Sequence, residues 1–228
     1  MKLMFWNTQR LGQSTDDASV KLIQDTIAKY KPDLHILCEL TTSATAFTPQ
    51  NLNYRRPNDF QLCYSYYDAR VGKSINLIKI VPESTDDYKE ALFKGGNDFT
   101  RIADRALAYA GSVGGVHLYA LHAPASGNAL KAASFVACHL NESHQEDPWI
   151  LIGDLNVTPD TLKESKVGIN LNSLILDPGV STHIRGNTLD YALSNIDIRK
   201  AKDKRSIQIK VGDLNKDASD HAPIILTW

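Results

Sequence analysis

Three cysteines in 228 residues are too few for a disulfide framework, and Cys38, Cys63 and Cys138 lie far apart, with no C-x-x-C pair of the zinc-binding kind. They read as reduced thiols in apolar surroundings, with a single disulfide allowed but not required. No run of about 18 apolar residues exists to span a bilayer. The opening "MKLMFW" is short for the apolar part of a secretory leader and passes into polar "NTQR" without a small-residue cleavage site. On this reading the chain is cytoplasmic as it stands, or secreted or delivered after loss of a leader. Net charge is also lacking, since 25 basic against 26 acidic residues leave −1. Proteins that grip nucleic acid through many phosphates carry a basic surplus, because affinity comes from counterion release. Any such contact here must be local or brief. The one dense basic run, "IRKAKDKR" at 198–205, reads as a solvated loop. Internal repeats, low-complexity tracts and linkers are missing too, so a single domain over 1–228 is expected.

What is present is a series of short apolar strands separated by a few helices. "KLMFWN" suits a buried strand. "DDASVKLIQDTIAKYKPD" carries Val20, Leu22, Ile23, Ile27 and Tyr30 at helical spacing, with Asp16 or Asp17 to cap it and Pro32 to end it. "LHILCEL", "LCYSYY" and "SINLIKIV" read as strands. "RALAYAGSVGGVHLYALHAP" reads as a hairpin about Gly114-Gly115. "GNALKAASFVACHLNES" makes a helix with Leu130, Ala133, Phe135, Val136 and Leu140 on or near one face. "WILIGDLN" is apolar on both faces and therefore central in its sheet. "TPDTLKES" suits a short helix with Thr158 ahead of Pro159. "NTLDYALSN", "RSIQIKV" and "APIILTW" complete the strands. Many strands, few helices and no linker predict an α+β fold: two sheets packed face to face, helices outside.

Polar residues stand at the ends of these strands: Asn7, Glu39, His122, Asp154 with Asn156, Asp190, and Asp220-His221. If the loops gather at one end of the sheets, they can converge on a metal-dependent phosphoryl-transfer site. Glu39 offers a hard oxygen anion for Mg²⁺, which takes one or two protein carboxylates and keeps several waters. Asn7 and Asp220 can complete or orient that shell. Asp190 can hold His221 in the tautomer a proton acceptor needs. Asn156 and His122 can hydrogen-bond the non-bridging phosphate oxygens. Asp154, two residues from Asn156 along an extended segment, can face the attacking water and either position it or take its proton in place of His221.

The ordered segments "FWNTQRL", "LCEL", "LHAP", "GDLNVTPD", "TLDYALSN" and "SDHAPI" resemble the motifs of the endonuclease/exonuclease/phosphatase superfamily, the family of deoxyribonuclease I. The likeness runs from Asn7 to the C-terminus. It implies a four-layer α/β/β/α sandwich with two mixed β-sheets, and a divalent metal, Mg²⁺ first, with Mn²⁺ or Ca²⁺ as alternatives. It also implies metal-proximal roles for Asn7 and Glu39 and a phosphate-side acid-amide pair at Asp154 and Asn156. Asp190 would support the catalytic His221, Asp220 would close the site, and His122 would touch phosphate. The texture of "DRALAYAGSVGGVHLYALHAPAS" and "STHIRGNTLDYALSN" is similar to the B subunits of cytolethal distending toxins. In that group an arginine one strand before the histidine is placed on the nucleic-acid backbone, and Arg105 matches it. In deoxyribonuclease I the first histidine pairs with a glutamate on a preceding strand, whereas "VGKSINLIKIV" here has no acid, so the partner of His122 stays open.

"GDLN" occurs twice, at Gly153 and at Gly212. The first copy follows a fully apolar strand and the second an alternating, half-exposed one, so Asp154 and Asn156 are expected in the site and Asp213 and Asn215 in a turn. The expected activity is Mg²⁺-dependent hydrolysis of phosphodiesters, DNA first, by a monomer with no stable protein partner. The rival readings are a phosphatase or phospholipase on inositol phosphates, phosphoinositides or sphingomyelin, and a non-catalytic scaffold.

Overall fold

A computed structural model describes residues 1–8, 17–38, 61–68, 73–75, 81–82, 107–125, 127–145, 147–165, 171, 174–196, 207–216 and 219–228. Within these, the chain begins with β1 (Lys2–Asn7), α1 (Asp17–Tyr30), β2 (Leu34–Cys38), β3 (Gln61–Asp68), β4 (Lys73–Ile75) and β5 (Val81–Pro82). The hairpin β6 (Ala108–Val113) and β7 (Val116–His122) follows, then α2 (Ala129–Ser143), β8 (Trp149–Asp154) and α3 (Pro159–Lys163). The chain closes with β9 (Ile175–Leu176), β10 (Asp190–Ser194), β11 (Gln208–Val211) and β12 (Ile224–Thr227).

The strands form two mixed sheets. One runs β11-β12-β1-β2-β3-β4, with β5 beside β3; the other runs β6-β7-β8-β10-β9. In each, one parallel pair (β1 with β2, β7 with β8) sits among antiparallel neighbours. Strand period two assigns each side chain a layer. Leu3 and Phe5 of β1, with Leu34, Ile36 and Cys38 of β2, pack against Leu118, Ala120, Ile150, Ile152 and Ala192 between the sheets. Met4, Trp6 and Leu37 point the other way and meet Ile23, Leu22 and Ile27 of α1. On the far side, Trp149, Leu151, Tyr191 and Leu193 meet Ala133, Val136, Ala137 and Leu140 of α2. Helix, sheet, sheet, helix: the expected α+β sandwich. Cutting one such inner side chain back to alanine, Ile152 for instance, costs about 2–5 kcal/mol.

Local chemistry explains most boundaries. α1 stops at Tyr30 because Lys31 turns left-handed (φ 46°), with Pro32 beyond it. Asp17 lies inside that helix rather than capping it. α3 starts as expected, the Thr158 hydroxyl accepting the Thr161 N–H at 3.3 Å with Pro159 in the first turn. β8 is central, as its apolar run requires. Two expectations fail. Phe135 is 44% exposed, because α2 buries the stripe through Ala129, Ala132, Ala133, Val136, Ala137 and Leu140, and position 135 falls outside it. Cys138 is only half-buried, whereas Cys38 is in the core; both are free thiols. Among the described residues no helix is long and apolar enough to cross a membrane.

Candidate active site

The inward-facing rows that build the core do not stop at its edge. Leu3 and Phe5 continue to Asn7, Leu118 and Ala120 to His122, Ile150 and Ile152 to Asp154, and Ala192 leads back to Asp190. β1, β7 and β8 end where β10 and β12 begin, because β10 runs antiparallel to β8 and β12 antiparallel to β1. Four chemically able side chains therefore emerge at one end of the sandwich, and Asp220-His221 enter it just before β12. The expected convergence is met for Asn7, His122, Asp154, Asn156, Asp190, Asp220 and His221. Glu39, Arg105 and the 198–205 basic run lie outside the described residues.

Asp154 is the hub. Its Oδ2 accepts from Asn7 Nδ2 at 2.9 Å, and its Oδ1 accepts the Asn156 N–H at 3.0 Å. The same Oδ2 lies 3.7 Å from His221 Nε2 and 3.8 Å from His122 Nε2. Asn156 holds a left-handed backbone (φ 50°), a conformation asparagine tolerates, and one amide hydrogen goes to the Ala123 carbonyl at 2.8 Å. His221 Nδ1 donates to Asp190 Oδ2 at 2.7 Å, which turns Nε2 toward Asp154 and, at 3.5 Å, Asp220 Oδ1. That is the orientation Asp190 is expected to impose. The His221 backbone is held as tightly: Trp6 Nε1 donates to its carbonyl, and its N–H goes to the Ser219 hydroxyl, which itself donates to the Asn7 carbonyl.

Burial alone pushes the His221 imidazolium toward losing its proton. The Asp190 hydrogen bond and the charges of Asp190, Asp154 and Asp220 outweigh it and hold the pKa up, to about 9. Burial and the Asp154 charge push Asp190 above the usual carboxylate range, while His221 and Thr182 pull the other way.

Two residues absent from the sequence expectations join the site. The Thr182 hydroxyl accepts the N–H groups of Leu189 and Asp190, both at 3.0 Å, and so fixes the entry to β10. His183 pairs with His221 in an isolated antiparallel bridge, and their rings meet edge to face at 4.8 Å. Its Nδ1 accepts the Arg185 N–H at 3.1 Å, which leaves Nε2–H to donate to Asp220 Oδ2 at 3.2 Å. Both lie in "STHIRGN", within the stretch whose texture resembles the toxin B subunits, but its polar, turn-like composition gives neither residue a role.

The donors suit a divalent cation. Asp154, Asp190 and Asp220 set three carboxylates around one imidazole, and one imidazolium offsets only one of them. Asp154, Asp190 and His221 bring ligand atoms within 4.8 Å, and Asp190 Oδ1 is buried with no hydrogen-bond partner among the described residues. Crowded, buried carboxylates are costly without a counter-charge, and hard oxygen donors are what Mg²⁺ takes.

The other "GDLN" copy is elsewhere. Asp213 follows β11 at the edge of its sheet, ion-pairs with Lys29, and its N–H goes to the Tyr30 hydroxyl at 2.7 Å.

No protein-family profile and no curated protein matches the chain. Solved structures do, over almost its whole length. A chain of the cytolethal distending toxin from Actinobacillus actinomycetemcomitans is 18% identical with a TM-score of 0.60, over 99% of this chain and 97% of that one. An AP endonuclease from Archaeoglobus fulgidus is 16% identical with a TM-score of 0.57, over 100% and 99%. Truncated TDP2 from Caenorhabditis elegans is 12% identical with a TM-score of 0.60, over 99% and 96%. At such identities the likeness shows the fold alone, the deoxyribonuclease I-like sandwich.

Proposed function

We propose that this chain is a divalent-metal-dependent hydrolase of phosphodiesters, acting on DNA as an endonuclease. The observation that carries the reading is the chain of contacts Asp190–His221–Asp154–Asn7, which puts a carboxylate-oriented imidazole beside an acid surplus at one end of the sandwich. Asp154 and Asp220, with Asn7 and the expected Glu39, would hold the cation, which when bound supplies charge neutralisation at the phosphate. A water's oxygen attacks phosphorus opposite the leaving oxygen. The new P–O bond forms as the old one breaks, and the water's proton passes to His221 Nε2. Nδ1 keeps its own proton, which Asp190 holds in place. Offsetting the carboxylate charges weakens the hold of His221 on its resting proton and frees Nε2 for that transfer. Asn156 and His122 would donate to the phosphoryl oxygens. The assignment to DNA draws on the endonuclease among the fold neighbours.

The test is a substrate panel with Mg²⁺: supercoiled plasmid, bis(p-nitrophenyl) phosphate, a phosphoinositide and sphingomyelin, with EDTA and His221→Ala as controls. Plasmid nicking lost in both controls is expected, with kcat for His221→Ala down by about 10²–10⁴. Hydrolysis of the lipid substrates without nicking would move the assignment to the phosphatase or phospholipase reading. Inactivity on all four would end it.

A further inference from the structure

A second group of ligand-type side chains lies at the other end of the inner strands. His117 is near the start of β7, whose last residue is His122, so the two are about 16 Å apart along the strand. His144 caps the C-terminus of α2, and Asp147 stands in the short connection from there to β8. One nitrogen of each imidazole and one Asp147 oxygen lie within 4.8 Å of one another. We propose that His117, His144 and Asp147 form a binding site for a borderline transition-metal ion of the Zn²⁺ class, separate from the phosphodiesterase site.

Two imidazoles and a carboxylate favour Zn²⁺, Ni²⁺ or Cu²⁺ and disfavour Mg²⁺, which prefers oxygen and keeps its waters. With three protein ligands, a tetrahedral zinc ion keeps one position for water. The backbone beneath the donors is fastened without any ion. Asn195 Nδ2 donates to the carbonyls of His144 (3.2 Å) and Asp147 (2.9 Å), while its Oδ1 accepts the Trp149 N–H at 2.8 Å. The His117 N–H goes to the Pro148 carbonyl at 2.8 Å. The Asn195 amide thus ties the helix end, the connection and the start of β8 together, and the His117–Pro148 bond joins them to β7.

The outer contact that ligating histidines need is also present. Tyr119 Oη is 2.7 Å from His144 Nε2, so Nε2–H can donate to the phenol oxygen and Nδ1 is the nitrogen left for a cation. The two imidazoles stack at 4.6 Å between centroids, 28° from parallel, so one ring turns for both in-plane lone pairs to meet a single ion. Ligands on tetrahedral zinc sit roughly 3.3 Å apart, so donors within 4.8 Å of one another draw together on binding, through the exposed Asp147 and a turn of one imidazole. An ion here would staple β7 to the α2–β8 connection and stabilise the fold by binding only the native state. The site is independent of the proposed hydrolysis and can stand if that reading falls.

The experiment is a Zn²⁺ titration of the metal-stripped full chain by calorimetry, with Co²⁺ absorption reporting ligand geometry and thermal unfolding reporting stabilisation. Because carboxylates of the phosphodiesterase site can also take up Zn²⁺, the comparison includes Asp154→Asn. The expected result is one Zn²⁺ event that survives Asp154→Asn and is not displaced by Mg²⁺. Its affinity should fall more than tenfold in His144→Ala and in Asp147→Asn, the latter an exposed change that spares folding, and about tenfold in Tyr119→Phe. Zn²⁺ binding that is absent, or unchanged in both ligand variants, or lost in Asp154→Asn alone, overturns the proposal.

Discussion

Asn7 Nδ2 donates to Asp154 Oδ2 at 2.9 Å and joins the end of β1 in one sheet to the end of β8 in the other, across 147 residues of sequence. A hydrogen bond to a charged group contributes about 1.5–3 kcal/mol. Asn7→Ala is therefore expected to lower stability by about 2 kcal/mol and, by releasing Asp154, to reduce Mg²⁺-dependent nicking by more than tenfold. Chemical denaturation and a plasmid assay on the same preparation measure both. Full activity in a destabilised Asn7→Ala would show that the contact is structural only.

The pH dependence follows from His221. Its folded pKa is raised from 6.5 to about 9, so the fold binds this proton more tightly than the unfolded chain. The resulting stability is complete below about pH 6.5 and is lost as pH rises through about 9. The upward push on Asp190 has the same sign. Metal-free protein should thus melt at progressively lower temperature from pH 6.5 to 9, and His221→Gln should flatten that slope. A slope that persists undiminished in His221→Gln would assign the titration elsewhere.

The two "GDLN" copies separate by mutation. Asp154→Asn is expected to abolish most activity, whereas Asp213→Asn, which removes only the partner of Lys29, leaves kcat near wild type. Each glycine is confined for its own reason. A Cβ on Gly153 would lie 1.8 Å from the Leu121 carbonyl oxygen, a backbone atom of the neighbouring strand that cannot step aside. Gly212 is crowded at 2.8 Å by the Pro223 and Tyr30 side chains instead. Gly153→Ala should destabilise by about 3 kcal/mol or more and Gly212→Ala by less, as thermal unfolding would show.

His183 is a positioning residue whose Nε2–H reaches Asp220. His183→Ala is expected to raise the Mg²⁺ concentration needed for half-maximal activity by about tenfold, the usual cost of losing an outer contact. His183→Gln, which keeps a donor, should restore much of it. Equal behaviour of the alanine and glutamine variants would mean that packing against His221, not the hydrogen bond, is what matters.

Much of this was legible in the chain before folding. Periodicity alone marks "WILI" as a central strand and "SIQIKV" as a half-exposed one, and that difference already separates Asp154 from Asp213. The same alternation, followed past Phe5, Ala120 and Ile152, reaches Asn7, His122 and Asp154 on the inward face. Where the alternation is a helical one, the reading was less sharp: Phe135 sits within one position of the buried stripe yet faces solvent.

Local sequence determined which residues are apolar, where strands end, and that acids, amides and histidines stand at those ends, because these properties depend on neighbours a few positions away. Tertiary structure alone decided that Asp154 Oδ2 faces both His122 and His221 and that a loop histidine at 183 completes the cluster. Those contacts cross between strands and sheets, where a shift of one residue in pairing would turn each side chain to the opposite face, and no local pattern specifies that pairing.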